Sequence, residues 1–160
     1  MQDLVESLSV KMQALGLMLT TAESCTGGMI AMAMTERPGS SAIFERGFIT
    51  YSNQSKHELL DVPKDTLLKH GAVSAQVATA MVRGALVHSR AEIALSVTGI
   101  AGPDGGSDKK PVGLVYIGFG DKSGLTEVAE HRFQGNRAEV RKQAAEAALK
   151  HLIRFIDRLP

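Results

Sequence analysis

The chain has 160 residues, 44% apolar and 22% charged, with a formal net charge of +1, values that describe a globular chain and exclude charge-driven disorder or an apolar run of membrane length. Its one cysteine, Cys25, excludes an internal disulfide framework and a multi-thiolate metal site. Dispersed Lys and Arg, 4% aromatics and no Trp argue against nucleic acid as a partner, because both a basic footprint and stacking platforms are lacking.

A chain of this length buries roughly 68–70% of the surface its unfolded form exposes, so residues 1–160 read as a single domain with one ordinary core. The start carries Asp3 and Glu6 and lacks the basic, apolar and small-residue signature of a signal peptide. A cytoplasmic location without membrane attachment is therefore expected. Leu4, Val5, Leu8, Met12 and Leu15 recur at helical spacing, and Gly16 stands where a left-handed cap would end the helix. Leu17 to Thr21 reads as a short strand, followed by Ala22 to Gly28 as a tight turn and by a Met/Ile/Ala-rich helix over Met29 to Met34. Pro38-Gly39 breaks that helix, and Phe44 to Tyr51 favours a second strand. Ser52 to Val62 reads as helical up to Pro63, Lys64 to Lys69 as a short helix closed by Gly71, and Ser74 as the N-cap of a helix through Leu86.

Ala94 to Val97 reads as a buried strand running into a glycine-rich loop, Thr98 to Gly106. Val112 to Phe119 and Leu125 to Phe133 flank Asp121-Lys122-Ser123-Gly124, which predicts a β-hairpin. Asn136 is placed to cap a last helix with Val140, Ala144, Ala148, Leu152 and Phe155 near one face. Strands alternating with helices, plus one hairpin, predict an α/β fold: a three-layer α/β/α sandwich with a mixed, mostly parallel sheet and a site built from loops at one sheet edge.

Three segments carry chemistry-bearing side chains. In Thr21-Ala22-Glu23-Ser24-Cys25-Thr26-Gly27-Gly28, Ser24 stands between strand and helix, where free backbone N–H groups favour a developing oxyanion and glycines admit a substrate to the backbone. A helix-capping role for Ser24 or Thr26 fits the local sequence equally well. Phe48 to Lys56 runs from a strand into a polar turn. Lys56 would serve as the base of a Ser-Lys pair only if burial lowers its pKa, and Tyr51 would relay a proton or pack against a ring; a surface lysine and a half-buried strand tyrosine are the bland alternatives. In Thr98 to Gly106 the backbone around Thr98, Gly99, Ala101 and Gly102 offers an anion-binding nest without matching a phosphate-loop or dinucleotide spacing, and an ordinary flexible loop has the same composition. Arg137, just inside the last helix, adds a guanidinium fork for phosphate or is a solvated helix-start residue. His57, His70, His88, His131 and His151 form no i, i+4 pair, so no metal is expected, and Glu23 and Asp104 have hydrogen-bonding or solvated roles open to them.

Taken together, Thr21 to Gly28, Phe44 to Asn53, His70-Gly71-Ala72-Val73-Ser74, and Thr98 to Gly106 with Lys110-Pro111-Val112-Gly113 resemble the CinA C-terminal domain family over nearly the whole chain. That resemblance implies a mixed-sheet α/β/α sandwich, a homodimer or higher homo-oligomer, and amidase activity on nicotinamide mononucleotide in pyridine-nucleotide salvage, with no cofactor. It implies Ser24 as nucleophile, Lys56 as base and Tyr51 beside them. Thr98 and Arg137 would help bind the substrate, together with the backbone of Cys25, Thr26, Gly27 and Gly28. Many relatives carry an additional N-terminal domain resembling molybdopterin-binding proteins, for which these 160 residues contain no counterpart. A non-catalytic nucleotide-sensing module and a phosphohydrolase are the competing expectations; the second lacks the acidic cluster usual for holding Mg²⁺.

Overall fold

In a computed structural model that describes residues 1–159, five strands form one sheet in the order β2-β1-β3-β4-β5, flanked by six α-helices. The strands are β1 (Leu19–Glu23), β2 (Phe44–Ile49), β3 (Ile93–Gly99), β4 (Leu114–Asp121) and β5 (Thr126–Arg132). The helices are α1 (Gln2–Leu15), α2 (Met29–Thr35), α3 (Asn53–Leu60), α4 (Lys64–His70), α5 (Ala75–Val87) and α6 (Arg137–Ile156). β1 runs parallel to β2 and β3, and the β3-β4 and β4-β5 ladders are antiparallel, so the sheet is mixed.

Period-two alternation assigns the two faces. Leu19 of β1, Ile93, Leu95 and Val97 of β3, and Val115, Ile117 and Phe119 of β4 pack in one core with α1, α2 and α6. Ala22 and Ala94 lie in a second core with Leu60, Val62 and the apolar side of α5. α5 lies close to the sheet because the facing positions are small: Ser96 Oγ donates to Ala78 O at 2.8 Å, and a Cβ at Gly118 would crowd that same carbonyl. On its other side α5 meets α3 backbone to backbone, since a Cβ at Gly84 would overlap the Leu60 carbonyl. These two contacts, with those of α4 on α5, complete the third layer.

The elements follow the sequence closely, with one displacement that matters. β1 spans Leu19–Glu23 rather than Leu17 to Thr21, and all five residues are buried, polar Thr20, Thr21 and Glu23 among them. As the strand between β2 and β3 it is hydrogen-bonded along both edges, and that pairing carries it two residues further than its apolar residues indicate. The strand therefore ends immediately before Ser24.

Candidate active site

The sheet delivers Ser24 to its carboxyl edge. Ser24 N–H donates to Val97 O at 2.9 Å, one step beyond the last β1-β3 pair, and the chain then turns sharply. Gly27 at φ 58° and Gly28 at φ 95° make that turn, a backbone region that side-chain-bearing residues enter at a cost. The free N–H groups at the start of α2 do not face Ser24. The buried Glu23 carboxylate accepts from Gly28 N–H at 3.2 Å, Ile30 N–H at 3.1 Å and Ala31 N–H at 2.9 Å. It is the cap of α2, satisfying donors that a helix leaves open and placing negative charge at the positive end of its dipole. The expectation that this helix end supports an oxyanion is corrected accordingly: its dipole is matched by Glu23.

Within the turn, Gly27 N–H donates to Ser24 O at 3.1 Å and Gly28 N–H to Glu23. The N–H groups of Cys25 and Thr26 take part in none of the fold's hydrogen bonds among the described residues. Two backbone donors of the turn, on the two residues after Ser24, are thus left unused by the fold.

Lys56 reaches Ser24 from α3. Ser52 caps that helix by accepting from Ser55 N–H, which sets the first turn so that Lys56 points inward while its neighbour His57 turns aside to Val62 O. Lys56 is 1% exposed. Its Nζ lies 2.9 Å from Ser24 Oγ, 2.7 Å from Thr50 O and 3.3 Å from Tyr51 O. Burial disfavours the ammonium and brings the Lys56 pKa down to about 8, slightly opposed by attraction to a Cys25 thiolate. With Nζ–H groups donating to the two carbonyls, the neutral amine turns its lone pair toward the Ser24 hydroxyl, a geometry suited to taking its proton.

Cys25 is a packing residue. It belongs to the core beneath α2 and α6, and burial pushes its thiol up to about 11, so the nucleophilic thiolate is scarce at neutral pH. Tyr51 divides its functions: its carbonyl accepts from Lys56, while its exposed phenol oxygen accepts from Arg137 Nη2 at 3.0 Å and so sits on the guanidinium rather than on the Ser24-Lys56 bond. Arg137 Nη1 also donates to Gly102 O at 2.8 Å, joining the start of α6 to the glycine-rich loop. Thr98 is buried, and its hydroxyl donates to Ala72 O at 2.8 Å, which fixes the segment entering α5 against the end of β3. Gly99 closes β3, Ala101 and Gly102 are buried, and the exposed part of the loop begins at Pro103. Asp104 is exposed.

Arg141, absent from the sequence expectations, donates from Nε to Cys25 O at 3.0 Å and from Nη2 to Thr26 O at 3.1 Å. A sequence signal for it exists. Arg137 and Arg141 place two cations in the first turns of one helix, where the dipole disfavours them, so each needs acceptors from outside the helix.

No group of three or more His, Cys, Asp or Glu side chains converges to hold a metal ion among the described residues. No helix among them is long and apolar enough to cross a membrane. A groove of about 600 Å³ between α4 and α5, lined by Thr66, His70 and Arg83 among others, contains neither Ser24 nor Lys56.

Comparison with known proteins gives the family. The nicotinamide-nucleotide amidohydrolase PncC of Enterobacter agglomerans is 50% identical over 154 residues, covering 96% of this chain and 94% of that protein. A CinA-like protein of Geobacter sulfurreducens is 52% identical over 139 residues, 87% of this chain but only 33% of that longer protein. The crystal structure of competence/damage inducible protein CihA from Agrobacterium tumefaciens superposes with a TM-score of 0.95 at 46% identity, covering 98% of this chain and 95% of that one. Residues 1–156 match the sequence profile of the CinA C-terminal domain, and with half-identity along nearly its full length the chain belongs to that family.

Proposed function

We propose that the chain hydrolyses the carboxamide of nicotinamide mononucleotide to nicotinate mononucleotide and ammonia, with Ser24 as nucleophile and Lys56 as general base. The observation that carries this reading is the 2.9 Å contact between Ser24 Oγ and a buried lysine whose pKa is about 8. At that pKa roughly a tenth of the amine is neutral at pH 7, about two hundred times more than for a lysine at its ordinary value near 10.4. The name borne by a relative of similar length, 50% identical over 96% of this chain, supports the substrate.

Neutral Lys56 accepts the Ser24 proton as Oγ attacks the carboxamide carbon, whose electrophilicity the N-alkylated pyridinium ring increases. The developing oxyanion takes hydrogen bonds from Cys25 and Thr26 N–H, each such donor being worth about 2.7–4 kcal/mol of barrier lowering. The ammonium of Lys56 then returns its proton to the nitrogen, the C–N bond breaks and ammonia leaves an acyl ester on Ser24. Water enters and gives a proton to Lys56. The resulting hydroxide attacks the ester, and as the adduct collapses the Lys56 ammonium returns its proton to Ser24 Oγ, freeing nicotinate mononucleotide, whose carboxyl proton passes to solvent. Arg137 and the backbone of the glycine-rich loop, joined at Gly102 O, bind the 5′-phosphate.

Ammonia release measured with nicotinamide mononucleotide, with nicotinamide as control, tests this reading. Turnover of the mononucleotide and near-inactivity on nicotinamide is the expected result. Tight binding of the nucleotide with no ammonia would instead make the chain a nucleotide-sensing module.

A further inference from the structure

We infer that Arg141 is a positioning residue for the oxyanion site of Ser24: its guanidinium fork fixes the Cys25-Thr26 and Thr26-Gly27 peptide planes, the first of which carries the Thr26 N–H donor. The inference rests on the Ser24 reading above and concerns a side chain that makes no contact with the reacting groups.

The carbonyls of Cys25 and Thr26 accept from Nε and Nη2 of one planar guanidinium. In a trans peptide the carbonyl and the following N–H point in opposite directions. Holding Cys25 O therefore directs Thr26 N–H away from α6, and holding Thr26 O, which also accepts from Met29 N–H at 3.1 Å, directs Gly27 N–H, which closes onto Ser24 O at 3.1 Å. The turn is thus fixed at three successive peptides while the N–H groups of Cys25 and Thr26 stay unused by the fold. Without the fork, the only local restraint on the Cys25-Thr26 peptide is a turn that continues into two glycines at positive φ, the residues most free to rotate. A carbonyl that accepts from a cation also polarises its own amide and makes the attached N–H a stronger donor. Space is matched as well, since a Cβ added at Gly27 would lie 3.3 Å from Arg141 Nη2.

Its position argues for the same role. Arg141 is half-buried in the second turn of α6, against the helix dipole and without a carboxylate partner among the ion pairs of the described residues. Two backbone carbonyls of the nucleophile turn are its acceptors. A lysine there would present a single point donor and satisfy one carbonyl at a time.

The test compares native chain, Arg141→Met, Arg141→Lys and Arg141→Ala on two acyl donors, nicotinamide mononucleotide and p-nitrophenyl nicotinate. The ester forms the same oxyanion on Ser24 without using the phosphate site. Arg141→Met should lower both kcat on the mononucleotide and the p-nitrophenolate burst rate by roughly 10- to 100-fold, the scale of a small misplacement of catalytic groups. KM should change less than threefold, and the pH midpoint of the residual activity should stay near the value set by Lys56. Arg141→Lys should fall between native and Met, and added N-methylguanidinium should restore activity to Arg141→Ala. A native-like burst rate in folded Arg141→Met overturns the inference. So does a loss that comes with a higher pH midpoint and no rescue, because that pattern reports water entering around Lys56 and a general loosening of the site. If the native chain gives a Ser24-dependent burst but no ammonia from the mononucleotide, the deamidase reading fails, and the ester comparison still decides the role of Arg141.

Discussion

Lys56 Nζ is held 2.7 Å from Thr50 O and 3.3 Å from Tyr51 O, and that pair of carbonyls aims its remaining valence at Ser24 Oγ, 2.9 Å away. The lysine is oriented by backbone, so its direction does not depend on any neighbouring side chain. Burial then supplies the second requirement, an amine that is partly neutral at physiological pH.

Activity should therefore rise with pH through about 8. The sign follows from the base having to be unprotonated: below that value the ammonium predominates and kcat/KM falls about tenfold per pH unit. Lys56→Arg keeps a positive charge but stays protonated throughout the accessible range, so it should lose at least 100-fold in kcat while nucleotide affinity changes little. Lys56→Arg with native turnover and the same pH profile would show that the residue acts as a charge and not as a base.

The nucleophile assignment separates two neighbours. Ser24→Ala should abolish ammonia release. Cys25→Ala should retain most of it at some cost in stability, since the thiol lies in the core. With its pKa pushed up to about 11, Cys25 should react with iodoacetamide slowly at pH 7.5 and faster toward pH 10. Loss of turnover in Cys25→Ala with survival in Ser24→Ala would reverse the assignment.

Glu23 is predicted to act through structure. Glu23→Gln keeps one acceptor oxygen but sets an NH₂ against N–H groups that now donate to a carboxylate. Hydrogen bonds to charged groups contribute about 1.5–3 kcal/mol each, so a destabilisation of about 2–4 kcal/mol is expected in urea unfolding. An unchanged midpoint and slope would show that the cap contributes nothing to folding.

Arg137 is predicted to act on affinity. It is tied to Tyr51 Oη and Gly102 O, so it brings the glycine-rich loop and the rim of the site to one guanidinium. Arg137→Ala should lower kcat/KM on the mononucleotide by roughly 10- to 150-fold, mostly through KM, as expected for losing one charge-assisted contact of about 1.5–3 kcal/mol. Equal efficiency of the native chain on nicotinamide and on its mononucleotide would remove the basis for a phosphate site.

Away from the site, His131 of β5 and His151 of α6 face each other with Nε2 atoms 2.8 Å apart, one N–H donating to the other ring. Burial lowers both pKa values, assisted at His151 by His131 and Arg154 and opposed by Glu127. A depressed pKa means the folded chain binds fewer protons than the unfolded one, so the stability from this pair is present above about pH 6.5 and is lost as pH falls below it. His131→Phe should flatten the stability profile between pH 5 and 7, read by urea midpoints. A profile as steep as the native one would place the acid sensitivity elsewhere.

Much of the fold is legible locally because its signals are local. Ser52, Ser74 and Asn136 each accept from a backbone N–H in the first turn of their own helix, and a cap of that kind depends on residues three positions apart. The strands of the hairpin and of β3 follow from β-branched and apolar runs bounded by glycine. The reactive trio of segments around Ser24, Lys56 and Thr98 is visible for the same reason, as polar and glycine-rich residues at predicted strand ends.

Tertiary structure decided how those residues meet. The sequence shows Ser24 and Lys56 32 positions apart, but only the β2-β1-β3 pairing and the docking of α3 bring Nζ to Oγ and remove the water that would keep the amine protonated. Glu23 has hydrogen-bonding and solvated roles open to it until the helix following Ser24 folds back over it, and Arg141 shows no role until α6 is laid beside the turn after Ser24. Helix caps and strand preferences arise from neighbours in the chain, so composition and spacing determine them. A lowered pKa, an occupied helix end and a fixed peptide plane arise from groups brought together across the core, where exclusion of water sets the balance of charge.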